Sequence, residues 1–176
     1  MATSTPTPPD DGNSADPLPQ RELLATVAAQ VAAIDTLLGL ARHSIRVFDV
    51  DLSGMGWNDA ARTERIVAFL RSNPAAKVEI VVHDTGWIER SCPRLLNLLK
   101  YRGHAIAIHR TGQDAKQAMD PLLIVDGVHF LHRFHVSQPR AALSIGDPVA
   151  AQPLVTRFDA ISASAESGVT PTVLGL

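Results

Sequence analysis

The stretch "MDPLLIVDGVHFLHRFH", Met119 to His135, decides how the rest of the chain is read. "PLLIVDG" is a short apolar strand closed by the turn pair Asp126-Gly127, and "VHFLHRFHV" is a second strand folding back on it as a hairpin. Three histidines and Arg133 crowd into seven residues of that second strand. Working outward, "HSIRVFDVDL", "KVEIVVHD" and "HAIAIHR" alternate as strands, each preceded by a segment of helical spacing. The first helix is expected from Arg21, on Leu23, Val27, Val31, Ile34, Leu38 and Ala41. The second begins at an Asn58 or Asp59 cap and ends at "SNP". The third has Pro93 in its first turn and Gly103 at its end. "TGW" between them is expected as a turn and "TGQDAKQAMD" as a polar loop. A last helix follows the Asp147-Pro148 cap, with Pro153 near its start. The alternation implies an α/β fold: a mixed, mostly parallel sheet with helices on both faces.

Bulk composition narrows the function classes. The chain has 176 residues, net charge -2 and 45% hydrophobic content, which suits one domain, residues 21–176, behind a tail. Residues 1–20 hold five prolines and three acids without a base, too little apolar surface to offset ordering, so they are expected to be disordered. The near-neutral charge gives no general pull toward nucleic acid or anionic membrane. No apolar run is long enough for a membrane span, and the N-terminus lacks a basic and apolar leader, so a cytoplasmic location is expected. Cys92, the only cysteine, sits before an amphipathic helix as a half-buried apolar residue.

The ordered set "LGLARHSIRVFDVDL", "KVEIVVHD", "LLNLLKYRGHAIAIHR", "LLIVDG" and "LVTRFDAIS" resembles a single phospholipase D-like domain over residues 22–165. The "RFD" helix and "LGL" ending look like an uncharacterised bacterial branch of that superfamily. Active members carry H-x-K-x4-D on the strand that here reads "LLIVDG", with His and Lys two apart on one side. Anchored on Asp126, the nucleophile position falls on Met119 and the phosphate-holding position on Pro121. Neither side chain can serve, so the resemblance implies a degenerate domain: a non-catalytic binding or accessory module with no cofactor and no metal. Single-domain members pair two copies around the site, which implies a homodimer.

Around the hairpin, Arg133 and His135 share one strand face and His132 the other, and His109 ends an earlier strand. These four are the candidate ligand-binding residues, with Arg133 gripping a phosphate-bearing ligand as a fork. The plainer reading is an edge strand kept soluble by polar side chains. A residual hydrolase would use His135 or His132 with Arg133. Zinc is disfavoured, because H-x2-H-x2-H on a strand does not converge. At the strand ends, Asp49, Asp51, His83 and Asp84 line a rim that Trp57 and Trp87 could flank, although capping and turn roles account for the carboxylates. Nucleic acid is the third alternative, through the basic window 100–140, disfavoured because aromatic residues are few among its charges.

Overall fold

The computed structural model describes residues 18–170; most of the expected disordered tail and the last six residues lie outside them. In chain order the elements are β1 (Gln20–Leu24), α1 (Val27–Leu40), β2 (Ser44–Asp49), α2 (Ala60–Ser72), β3 (Lys77–Val82), α3 (Gly86–Ser91), α4 (Pro93–Arg102), β4 (Ile106–Arg110), β5 (Leu122–Val125), β6 (His129–Arg133), β7 (Ala141–Ile145), α5 (Pro148–Ala163) and β8 (Glu166–Ser167). The strands form one sheet in the order β1-β7-β6-β5-β2-β3-β4-β8.

Only β2–β3 and β3–β4 pair in parallel; every other neighbour is antiparallel. The mixed α/β sheet with helices on both faces is as expected, but the expectation of a mostly parallel sheet is corrected. Three strands were not expected from the sequence: the two-residue β8, paired with the end of β4, and the longer β1 and β7. Gln20–Leu24 carries two leucines that fit a helical spacing, yet it pairs along its whole length with β7. The helix begins only after Thr26, whose hydroxyl accepts the Ala29 N–H at 3.1 Å. Residues 141–145 have no alternating pattern strong enough to announce β7, and their partners on both sides define the strand. As a result β6 is an interior strand, not an edge. "TGW" is also corrected: Gly86 and Trp87 open α3, with Asp84 Oδ1 accepting the Gly86 N–H.

Side-chain alternation sorts the core into two layers. Ile45, Val47, Ile80, Val82, Leu123 and Leu131 face α1, α2 and α4. Phe48, Val81, Leu122, Ile124 and Phe130 face α5, where Phe158 and Ile161 cover them. Asp126 and Gly127 take positive φ at the tip of the β5–β6 hairpin, the conformation such a turn demands. From that tip the Asp126 carboxylate accepts the N–H groups of Arg42, His43 and Ser44 at 2.7–2.8 Å, fixing where β2 starts.

Arg62 is the other fastening. It is 1% exposed, and its guanidinium ion-pairs with Asp35 and donates to the carbonyls of Met55 and Val31. It also lies over Trp57, 5.4 Å from the ring centre. This pins the loop between β2 and α2 onto α1. Replacing Arg62 with alanine removes three bonds from a buried site, so urea unfolding is expected to show a loss on the order of 3 kcal/mol. A change within about 0.5 kcal/mol, the range of an ordinary surface substitution, would contradict that role.

Candidate functional site

Three positions line up across the C-terminal end of β2. Asp49, Pro121 and Arg133 have the parity of Val47, Leu123 and Leu131, so all face the α1 layer. The Arg133 guanidinium, 7% exposed, reaches past β5 to the Asp49 carboxylate, Nη1 to Oδ2 3.6 Å. Its Nη2 donates to the Val136 carbonyl at 3.0 Å, and its Nε is buried without a partner. Ile34, Met55, Trp57 and Leu131 complete a narrow cavity with the pair and Pro121. Its ≈20 Å³ of free volume admits about one water. Burial pushes the Asp49 carboxyl up to about 6, with Arg133 and the Val50 N–H opposing the shift. The site is therefore a desolvated, self-neutralised ion pair.

The remaining candidate residues do not join it. Strand β6 ends at Arg133, because the chain turns there through Phe134–Pro139 into β7. The expected shared face of Arg133 and His135 is corrected: His135 is exposed in that turn, its Nδ1 2.8 Å from the Ser137 hydroxyl. His132 faces α5. Its Nε2 is 3.5 Å from Asp120, whose carboxylate is also gripped by Arg157. Burial lowers the His132 pKa from its ordinary value, against the pull of Asp120. His109 lies on β4, four strands away from β6 in the sheet. Met119, 38% exposed, offers its carbonyl to the Val136 N–H.

The strand-end rim is likewise internally satisfied. His83 contacts the Thr111 hydroxyl through Nδ1 at 2.7 Å and the Ala118 carbonyl through Nε2 at 2.6 Å. A carbonyl only accepts, so Nε2 carries a proton. Asp51 accepts the Ser53 N–H, and Trp57 is buried under Arg62. Cys92 is fully buried, and that burial pushes its thiol up. Among the described residues no group of three or more His, Cys, Asp or Glu could hold a metal ion, and no helix is long and apolar enough to cross a membrane.

The sheet order and helix layers define a phospholipase D-like fold. The crystal structure of Nuc from Salmonella typhimurium, a phospholipase D family member, has a TM-score of 0.57 at 15% identity, over 85% of this chain and 97% of that one. NucT from Helicobacter pylori gives 0.56 at 15% identity, over 85% and 99%. TrmBL2, an archaeal chromatin protein whose structure shows a novel mode of DNA binding, gives 0.63 at 12% identity, over 88% and 56%. The chain thus spans little more than half of TrmBL2, and identities this low carry the fold alone. No curated protein matches it. Residues 26–168 match the family model described as Domain of unknown function (DUF7931), and the chain belongs to that family.

A pH dependence follows from Asp49. Its folded pKa, about 6, lies above the ordinary 3.8, so between those values the folded chain holds the extra proton. Its contribution is therefore fully present below the ordinary value and lost as pH rises through the folded one. Relative to Asp49→Asn, the wild type should lose about 3 kcal/mol of unfolding free energy from pH 3.5 to 7. Parallel stability curves for the two proteins would refute the buried carboxyl.

Proposed function

We propose that this chain is a non-catalytic member of the phospholipase D fold, acting as a binding or accessory module. The observation that carries the reading is the row Asp49–Pro121–Arg133. In the register anchored on Asp126, the position of the nucleophilic histidine is a thioether, Met119. The position of the phosphate-holding lysine is Pro121. A cation does lie beside that position, but Asp49 neutralises it and the surrounding cavity admits about one water. A phosphate group would have to break the Arg133–Asp49 pair and widen the cavity. Leaving a carboxylate buried without its partner is costly, on the order of 3–5 kcal/mol.

Asp126 supports the same reading, since both of its oxygens are committed to the backbone of residues 42–44. Neither histidine shares a face with Arg133: His132 faces α5 and His135 sits exposed in the β6–β7 turn, so a hydrolase using either would have to work without that guanidinium.

The test is hydrolysis of bis-p-nitrophenyl phosphate and of a labelled phosphodiester oligonucleotide, with and without divalent cations. Release at the rate of the protein-free control is expected for the wild type. Turnover above that control, lost in His132→Ala or His135→Ala and retained in a surface variant such as Arg140→Ala, would overturn the proposal.

A further inference from the structure

The described residues include all sixteen lysines and arginines of the chain. Seven of them pair with a carboxylate: Arg21, Arg46, Arg62, Arg65, Arg110, Arg133 and Arg157. Pairing takes two of the six cations out of the expected basic window at 100–140, since Arg133 is buried on Asp49 and Arg110 sits on Glu166. Of the nine cations without a carboxylate partner among the described residues, six belong to α2, α4 and the starts of β2 and β3: Arg42, Arg71, Lys77, Arg94, Lys100 and Arg102, the last two from that same window.

These six are spread over both ends of the sheet: Arg42 and Lys77 lie at the starts of β2 and β3, Arg71, Lys100 and Arg102 in the last turns of α2 and α4, and Arg94 in the first turn of α4 beside Asn58. Arg71, Arg94 and Arg102 line a groove of ≈390 Å³ between α2 and α4, with Thr63, Asn97 and Tyr101. On the other side of α2, Arg42 lines a groove of ≈240 Å³ against α1. Lys77 donates to the His104 carbonyl, just beyond α4, at 2.7 Å. Arg94 donates to the Asn58 carbonyl, and Arg42 to those of Gly39 and Ala41. Neutral carbonyls fix these heads in place without cancelling their charge. Glu64 is the one carboxylate lining the α2–α4 groove. Helix dipoles account for cations in the last turns of α2 and α4, but not for Arg42, Lys77 or Arg94.

Position on α4 adds direction. Arg94, Leu98 and Arg102 recur every four residues, so the two arginine positions lie about 12 Å apart along one stripe. Tyr101, 73% exposed, stands on the same side with Lys100 over its ring. A row of unneutralised cations tracks a phosphate backbone, and an exposed phenol ring gives a base a face to stack on.

We propose that this α2–α4 face binds the backbone of single-stranded nucleic acid without sequence preference. The inference rests on reading the chain as a binding module, and it names the partner. An acidic peptide or an anionic membrane would be drawn by the same charge, but neither offers the succession of flat bases that Tyr101 can stack on beside a row of phosphates.

The test is fluorescence anisotropy of a labelled oligo-dT with the full chain in EDTA, titrated with salt. Affinity is expected to fall with salt at a log–log slope of about −2 if the three groove arginines engage, at ~0.7 per phosphate. Arg71→Glu with Arg94→Glu and Arg102→Glu should weaken binding at least tenfold, and Tyr101→Ala should weaken it without changing the slope. Arg-to-Gln versions of the triple variant, checked by circular dichroism, guard against misfolding. Arg140→Glu, on the remote β6–β7 turn, should bind like wild type. No binding at low salt, equal loss in Arg140→Glu, or tighter binding to a polyglutamate peptide or phosphatidylserine vesicles would each overturn the assignment. A gel of the recovered oligonucleotide separates the two proposals, since cleavage contradicts the non-catalytic reading and absent binding contradicts this one.

Discussion

The Arg133–Asp49 pair governs what the C-terminal end of the sheet can be. It requires β6 to reach across β5 to β2, and it can do so because Pro121 places no long side chain between them. A lysine at 121 would set a second cation against Arg133 in a space already short of water, and like charges there repel strongly. On the proposed reading, Pro121 at the motif position and the ion pair beside it are one arrangement seen from two strands. Arg62 completes it from above by holding Met55 and Trp57 over the cavity.

The landmarks that suggested the fold are accounted for by fastening rather than chemistry. Asp126 terminates three backbone donors at the start of β2. In the "RFD" segment, Arg157 binds Asp120 beside the β5 strand, Phe158 is fully buried, and Asp159 lies 3.6 Å from Arg46 on β2. Together they press α5 onto the sheet face opposite α1. Sequence patterns that outlast an active site would then be those that hold β2, β5 and α5 in register.

Much of this was legible in the sequence. The three alternating strands, the Asp59 and Asp147 caps and the Asp126-Gly127 turn follow from local chemistry that no tertiary contact overrides. β1 and β7 were not legible, since their identity lies in pairing with each other and with β6 rather than in their own pattern. The partner of Arg133 was within reach: Asp49 shares the parity of Ile45 and Val47, which already placed it inward. So was the burial of Arg62, four residues before Ile66 on the apolar face of α2. The α2–α4 cations were hidden for a different reason. A charge count treats all sixteen bases alike, and only the structure separates the seven that carboxylates neutralise from those left over.

The most direct measurement of the closed site is the arginine side-chain nitrogen–proton NMR spectrum during titration with inorganic phosphate. The Arg133 Nε–H signal, assigned by its loss in Arg133→Lys, should stay fixed while surface arginine signals drift with ionic strength. A saturable shift of that signal would mean that phosphate displaces Asp49, and would contradict the proposed closed site.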